Sequence, residues 1–182
     1  MAMERIWDKI LPLLLPQNYR LITFDWPFAG TVKDQNLYDP VKYSSVEGFA
    51  DDLITLLNKM DLKAVTFVGH SMSGMIGCIA SVKSPQLFKT LILVGASPSE
   101  VALSLAKTIF YSDWREILDK VETPCTIIQT KKDAAVPHNV ALYMENKIKG
   151  KVTLEIIDTL GHFPQLTAHL KFVEVLKGAL AS

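Results

Sequence analysis

Ala64-Val65-Thr66-Phe67-Val68-Gly69-His70-Ser71-Met72-Ser73-Gly74-Met75-Ile76-Gly77-Cys78 is the stretch that decides the fold. An apolar run stops at Gly69, a serine follows two positions later, and a segment rich in small residues then reads as a helix. This is a strand, a sharp turn and a helix, with Ser71 on the turn. The pattern is that of a nucleophile elbow, G-x-S-x-G, except that Ser73 takes the place of the second glycine. The physical requirement there is size. The turn is strained, and bulk beside it would keep the helix away from the strand; serine stays within that limit.

The chain has 182 residues, of which 49% are hydrophobic. That is enough for one ordered globular domain over 1–182 with a sizeable core. Lys and Arg number 19 and so do Asp and Glu. A charge balance of this kind provides no footprint for nucleic acid or an anionic membrane, so neither is expected as a partner. Cys78 and Cys125 both lie in apolar segments and are expected as buried free thiols, in keeping with a reducing compartment. No stretch reaches the length of a membrane span. The apolar run Ile10 to Leu15 makes a poor signal peptide, because Pro12 interrupts it and no small-residue cleavage site follows.

Working outward from the elbow, apolar spacing at Trp7, Ile10, Leu11 and Leu14 predicts a helix over 4–15. Tyr19 to Phe24 reads as a strand and 26–43 as a long loop. A helix is expected from about Ser45 to Met60, with Ser44 and Glu47 at capping-box spacing and Phe49, Leu53, Leu56, Leu57 and Met60 on its buried face. The elbow strand, Ala64 to Val68, leads into a helix over 72–83 that Pro85 stops. Thr90 to Val94 is the next strand. Helices are expected over 100–110 and 113–121, the second capped by Asp113. Cys125 to Gln129 and Val152 to Ile157 read as strands, separated by a helix from Asn139 to Lys149 that Gly150 ends. A last amphipathic helix runs from Thr167 to Leu180 with Leu170, Val173, Leu176 and Leu180 inward. Strands with near-continuous hydrophobicity alternating with helices predict a three-layer α/β/α sandwich around a mostly parallel sheet of about five strands.

A nucleophilic serine needs a base, and the base needs an orienting acid. Asp133 lies in the polar loop after the Cys125 strand, and His162 in the loop after the Val152 strand. Both therefore sit at strand C-termini, on the sheet edge that carries Ser71, where open α/β sheets build their sites. Taken alone, Asp133 reads equally as a solvated loop charge beside Lys131 and Lys132, and His162 as a capping or core histidine. As a set in the order Ser, Asp, His, a triad explains them better. His70 is expected to point away from Ser71 and to pack; His138 and His169 read as surface residues. No cluster has metal-ligand spacing and no phosphate loop is present, so neither metal nor cofactor is expected.

Three segments carry a resemblance: Gly69-His70-Ser71-Met72-Ser73-Gly74-Met75-Ile76-Gly77, Asp133 to Pro137, and Gly161-His162-Phe163-Pro164. They resemble the plant strigolactone and karrikin receptor hydrolases, α/β-hydrolases related to bacterial RsbQ-type enzymes. Phe24-Asp25-Trp26, Lys33 to Pro40 and Gly161 to Gln165 look most like the third, less understood paralogue of that group. The resemblance implies a serine hydrolase of small apolar esters or butenolide lactones, in cytoplasm and nucleus, that signals through F-box or repressor-type proteins. It makes Ser71 the nucleophile, His162 the base and Asp133 the orienting acid, with the Met72 amide one half of an oxyanion hole. Two departures are expected to impair the reaction. The family places further strands and the loop with the second oxyanion amide just upstream of the helix at Trp7, and one missing strand would lie between the Tyr19 and Ala64 strands. It also inserts a four-helix lid after the Thr90 strand, whereas here Gly95-Ala96-Ser97-Pro98 runs directly into Ser99-Glu100-Val101. Three readings stay open: an impaired hydrolase, a non-catalytic ligand sensor or partner-binding signalling protein of the same family, and a truncated product without stable function.

Overall fold

Leu91, Ile92, Leu93 and Val94 are all completely buried. A strand covered on both faces belongs in the interior of a sheet with a layer on each side. The computed structural model, which describes residues 6–27, 34–37, 39–97 and 113–181, has that arrangement. Its elements run α1 Leu11–Leu14, α2 Val46–Lys59, β1 Val65–His70, α3 Met72–Lys83, β2 Phe88–Val94, β3 Cys125–Lys132, α4 His138–Lys147, β4 Val152–Leu160, α5 Pro164–Thr167 and α6 His169–Ala181. The strands lie in the order β1-β2-β3-β4 and every pairing is parallel. In register, Gly69 stands beside Leu93, and Leu93 beside Ile127.

Side chains alternate along each strand between two cores. Phe67, Leu91, Leu93, Cys125 and Ile127 pack with α2, α3 and α4 on one face. Ile92, Val94, Ile128 and Ile157 pack with α1 and α6 on the other, against Ile10, Phe172 and Leu176. Both cysteines are buried and free. Among the described residues no helix is long and apolar enough to cross a membrane.

Several expectations give way to the structure. The helix over 4–15 shrinks to α1 and a 3₁₀ turn, Leu15–Gln17. Pro12 lies at its first turn and Pro16 just beyond, and a proline inside a helix removes a donor and clashes with the preceding turn. Residues 19–24 form no strand and take no place in the sheet. A strand exists only where its amides find a partner ladder. Between this stretch and β1 lies an apolar groove of about 560 Å³, lined by Leu21, Phe24 and Trp26 on one side and Val65 and Phe67 on the other. Leu56 and Met60 line that groove rather than the closed core.

The capping box also fails. The cap residue of α2 is Ser45, without a side-chain cap bond, and the Ser44 hydroxyl donates back to the Val41 carbonyl instead. The expected helix over 113–121 is a 3₁₀ turn, Arg115–Lys120, entered by an Asp113 carboxylate that accepts from the Arg115 amide. The expected helix over 100–110 lies outside the described residues. Leu170 is 67% exposed, whereas Phe172, Val173, Leu176 and Ala179 face inward. A break at Ala168 separates α5 from α6 and resets the helical phase that apolar spacing alone suggests.

Candidate active site

Strand β1 runs two residues further than its apolar run and hands directly to the turn. Ser71 adopts φ 54° and ψ −126°, a region that non-glycine residues rarely occupy. Holding it there costs about 1–3 kcal/mol, which the surrounding structure must supply. Two main-chain bonds do so: the Ser71 N–H donates to the Val94 carbonyl at 2.9 Å, and the Ser71 carbonyl accepts from the Gly74 N–H at 2.9 Å. Gly69 lets the helix close over the turn. A Cβ there would stand 2.6 Å from the Ser73 carbonyl, a backbone group that has no rotamer to escape into. Ser73 meets more than a size limit, because its hydroxyl accepts from the Trp26 indole N–H at 3.1 Å. Met72 is the first residue of α3, so its N–H is among the donors that a helix leaves without an internal partner.

The other two expected residues meet at the same end of the sheet. Asp133 follows β3 and His162 follows β4. His162 Nδ1 is 2.8 Å from Asp133 Oδ2. The second oxygen, Oδ1, accepts from the amides of Ala135 at 2.8 Å and Val136 at 3.0 Å. The Asp133 side chain is 1% exposed, which rules out a solvated loop charge. Burial pushes its carboxyl up, but the His162 hydrogen bond and the Val136 and Ala135 amides outweigh this and hold it below its ordinary value. An ionised carboxylate only accepts, so Nδ1 of His162 carries a proton, and in the neutral imidazole Nε2 is the acceptor.

Gly95 brings the pieces together. It follows Val94, which holds the Ser71 amide, and its φ is +53°. A Cβ at Gly95 would stand 3.0 Å from His162 Cε1 and 3.6 Å from Asp133 Oδ2. Glycine therefore serves both the turn and the space occupied by the imidazole.

Two supports escape sequence reasoning. Gln129 is fully buried, and its amide donates to the Val136 carbonyl at 2.9 Å and lies 3.3 Å from Asp133 Oδ2. The available signal was a polar residue ending an apolar strand four positions before the acid. Thr130 ties the next loop, its hydroxyl donating to the Gly161 carbonyl at 2.8 Å. His70 is buried as expected, yet it does more than fill space: its Nε2 lies 2.8 Å from the His162 carbonyl. His138 is exposed at the start of α4, and His169 is half-buried at the start of α6. Among the described residues no group of three or more His, Cys, Asp or Glu could hold a metal ion.

Burial lowers the His70 pKa from 6.5 to about 4, against the opposing pull of the His162 carbonyl. Between those values the unfolded chain takes up a proton that the folded chain excludes, so this histidine destabilises the fold on acidification. The expected loss between pH 7 and pH 5 is on the order of 2 kcal/mol beyond that of a His70→Gln variant. Urea unfolding of both proteins at the two pH values measures it. Equal losses would show that His70 takes up its proton alike in the folded and unfolded chains.

Comparison with known proteins identifies the fold family. Residues 3–108 match the family model described as alpha/beta hydrolase fold. The chain is 30% identical to the strigolactone esterase D14 of Arabidopsis thaliana, over 97% of this chain and 88% of that protein. It is also 30% identical to the karrikin insensitive 2 receptor IA of Petunia hybrida, over 95% of this chain and 84% of the receptor. The alignment with the esterase spans 236 residues, so that relative carries residues within the aligned span that have no counterpart in this 182-residue chain. Among solved structures, a hydrolase from Oleispira antarctica superposes with a TM-score of 0.89 at 21% identity, covering 100% of this chain and 88% of that one.

Proposed function

The chain belongs to the alpha/beta hydrolase family, and from that premise we propose that it is a serine hydrolase of small esters or butenolide lactones. Ser71 Oγ attacks the ester carbonyl while His162 Nε2 takes its proton. The carbon–oxygen bond to the leaving group breaks, and the imidazolium returns the proton to the departing oxygen. Water, activated by the same imidazole, then cleaves the acyl-serine. Asp133 holds the tautomer and stabilises the imidazolium. The Met72 N–H, at the start of α3, donates to the oxyanion.

The observation that carries this reading is the 2.8 Å bond between His162 and a buried Asp133, at the sheet end that bears the strained Ser71. The ester and lactone substrate class follows the names of the relatives, a strigolactone esterase and karrikin receptors. The test is to treat the full chain with a fluorophosphonate and with short p-nitrophenyl esters. One adduct, located on the Ser71 peptide, and esterase turnover are expected. A folded protein that forms no adduct and cleaves no ester would overturn the reading. A melting shift with a butenolide in that unreactive protein would assign the chain to ligand sensing instead.

A further inference from the structure

We propose that His70 is a positioning residue, which locks the main chain of the base-bearing loop to the strand that ends at the nucleophile. This rests on the hydrolase reading above. His70 directly precedes Ser71, and its ring nitrogen reaches the carbonyl of a residue 92 positions away. The carbonyl can only accept, so Nε2 of His70 carries the proton and donates it at 2.8 Å. The ring also stacks on Phe163, centroids 4.7 Å apart and planes 28° apart, and lies 4.6 Å from the His162 ring. Phe163 in turn meets the His162 ring edge-on at 5.4 Å.

His162 is thereby held at two points. Asp133 fixes the ring through Nδ1, and His70 fixes the backbone through the carbonyl. Thr130 ties the neighbouring Gly161 carbonyl, but without the His70 bond the main chain of His162 itself could shift and carry the imidazole from the position that Asp133 sets. A displacement of about 1 Å at such a site costs roughly 10²-fold in rate. The choice of histidine also fits the chemistry. A lysine or arginine could donate the same bond, but its fixed charge would oppose the positive charge His162 acquires on taking the serine proton. His70, 6% exposed and neutral, donates without that opposition.

A purely packing role would be served equally by phenylalanine, which keeps the stacking on Phe163 and loses the donor. Glutamine keeps a donor and loses the ring. The test compares wild type, His70→Phe and His70→Gln for fluorophosphonate labelling rate, for kcat and KM on a short ester, and for melting temperature. It also follows the His162 Nδ1 proton by NMR. In His70→Phe, labelling and kcat are expected to fall roughly 10- to 100-fold with little change in KM. The Nδ1 proton signal should broaden as the imidazole loses its fixed orientation. His70→Gln should recover to within about 3-fold of wild type with a sharp signal. A reactive wild type matched in rate and signal by His70→Phe would overturn the proposal. So would a His70→Gln variant as impaired as His70→Phe, or one impaired in the same way when His70→Phe does not fold. A wild type that never reacts counts against the hydrolase reading instead, and the NMR comparison then decides the positioning role alone.

Discussion

Replacing Ser71 by alanine is expected to remove fluorophosphonate labelling and to lower kcat/KM for ester cleavage by at least about 10⁴-fold, with a melting temperature close to wild type. The loss is large because the nucleophile takes part in bond making, and the groups around it cannot act without it. The fold should survive because the main-chain bonds that hold the turn do not depend on the side chain. The N–H to Val94 and the carbonyl to Gly74 are both kept by alanine. The positive φ is equally strained for either residue. Mass spectrometry of the labelled peptide, stopped-flow ester hydrolysis and a thermal melt read the three quantities. An alanine variant that cleaves esters at the wild-type rate would place the chemistry elsewhere.

Asp133→Asn is expected to cost nearly as much, about 10⁴-fold in kcat, by way of the tautomer rather than the charge alone. The amides of Ala135 and Val136 require an acceptor at the Oδ1 position. Asparagine can satisfy them only by placing its oxygen there, which turns its NH₂ toward His162 Nδ1. That nitrogen must then accept, so the proton moves to Nε2 and the base is blocked. In a serine protease the equivalent change costs about 10⁴-fold. The Gln129 amide, 3.3 Å from Oδ2, would also face a donor. Pre-steady-state kinetics on a p-nitrophenyl ester with a parallel melt measures the effect. A variant within a few-fold of wild-type kcat would remove Asp133 from the mechanism.

Much of this arrangement was readable along the chain. Ser71 stood out because an apolar strand, two small residues and a helix composition follow one another locally, and that order leaves few conformations open. Asp133 and His162 stood out because each follows a buried strand, and parallel connectivity brings all strand C-termini to one edge. The mismatches share a cause. Tyr19 to Phe24 has strand composition, but strand formation needs a neighbour, and across from it lies a groove. Leu170 has the right spacing for a core position, but the break at Ala168 rotates the helix beneath it. Ser44 has capping spacing, yet its hydroxyl finds a nearer carbonyl at Val41.

The sequence by itself determined the layered α/β architecture and the elbow, and it singled out Asp133 and His162 as the candidate partners of Ser71. Those follow from periodicity, turn chemistry and chain order, which act over a few residues or through connectivity. Tertiary structure alone decided that Asp133 is buried and ionised, that Ser73 receives the Trp26 indole, that Gln129 braces the acid loop, and that His70 grips the carbonyl of His162. Each of these depends on a hydrogen bond, and a hydrogen bond requires its two groups within about 3 Å. Where the two residues lie 47 or 92 positions apart, no local preference encodes that approach, and only the packing of the layers creates it.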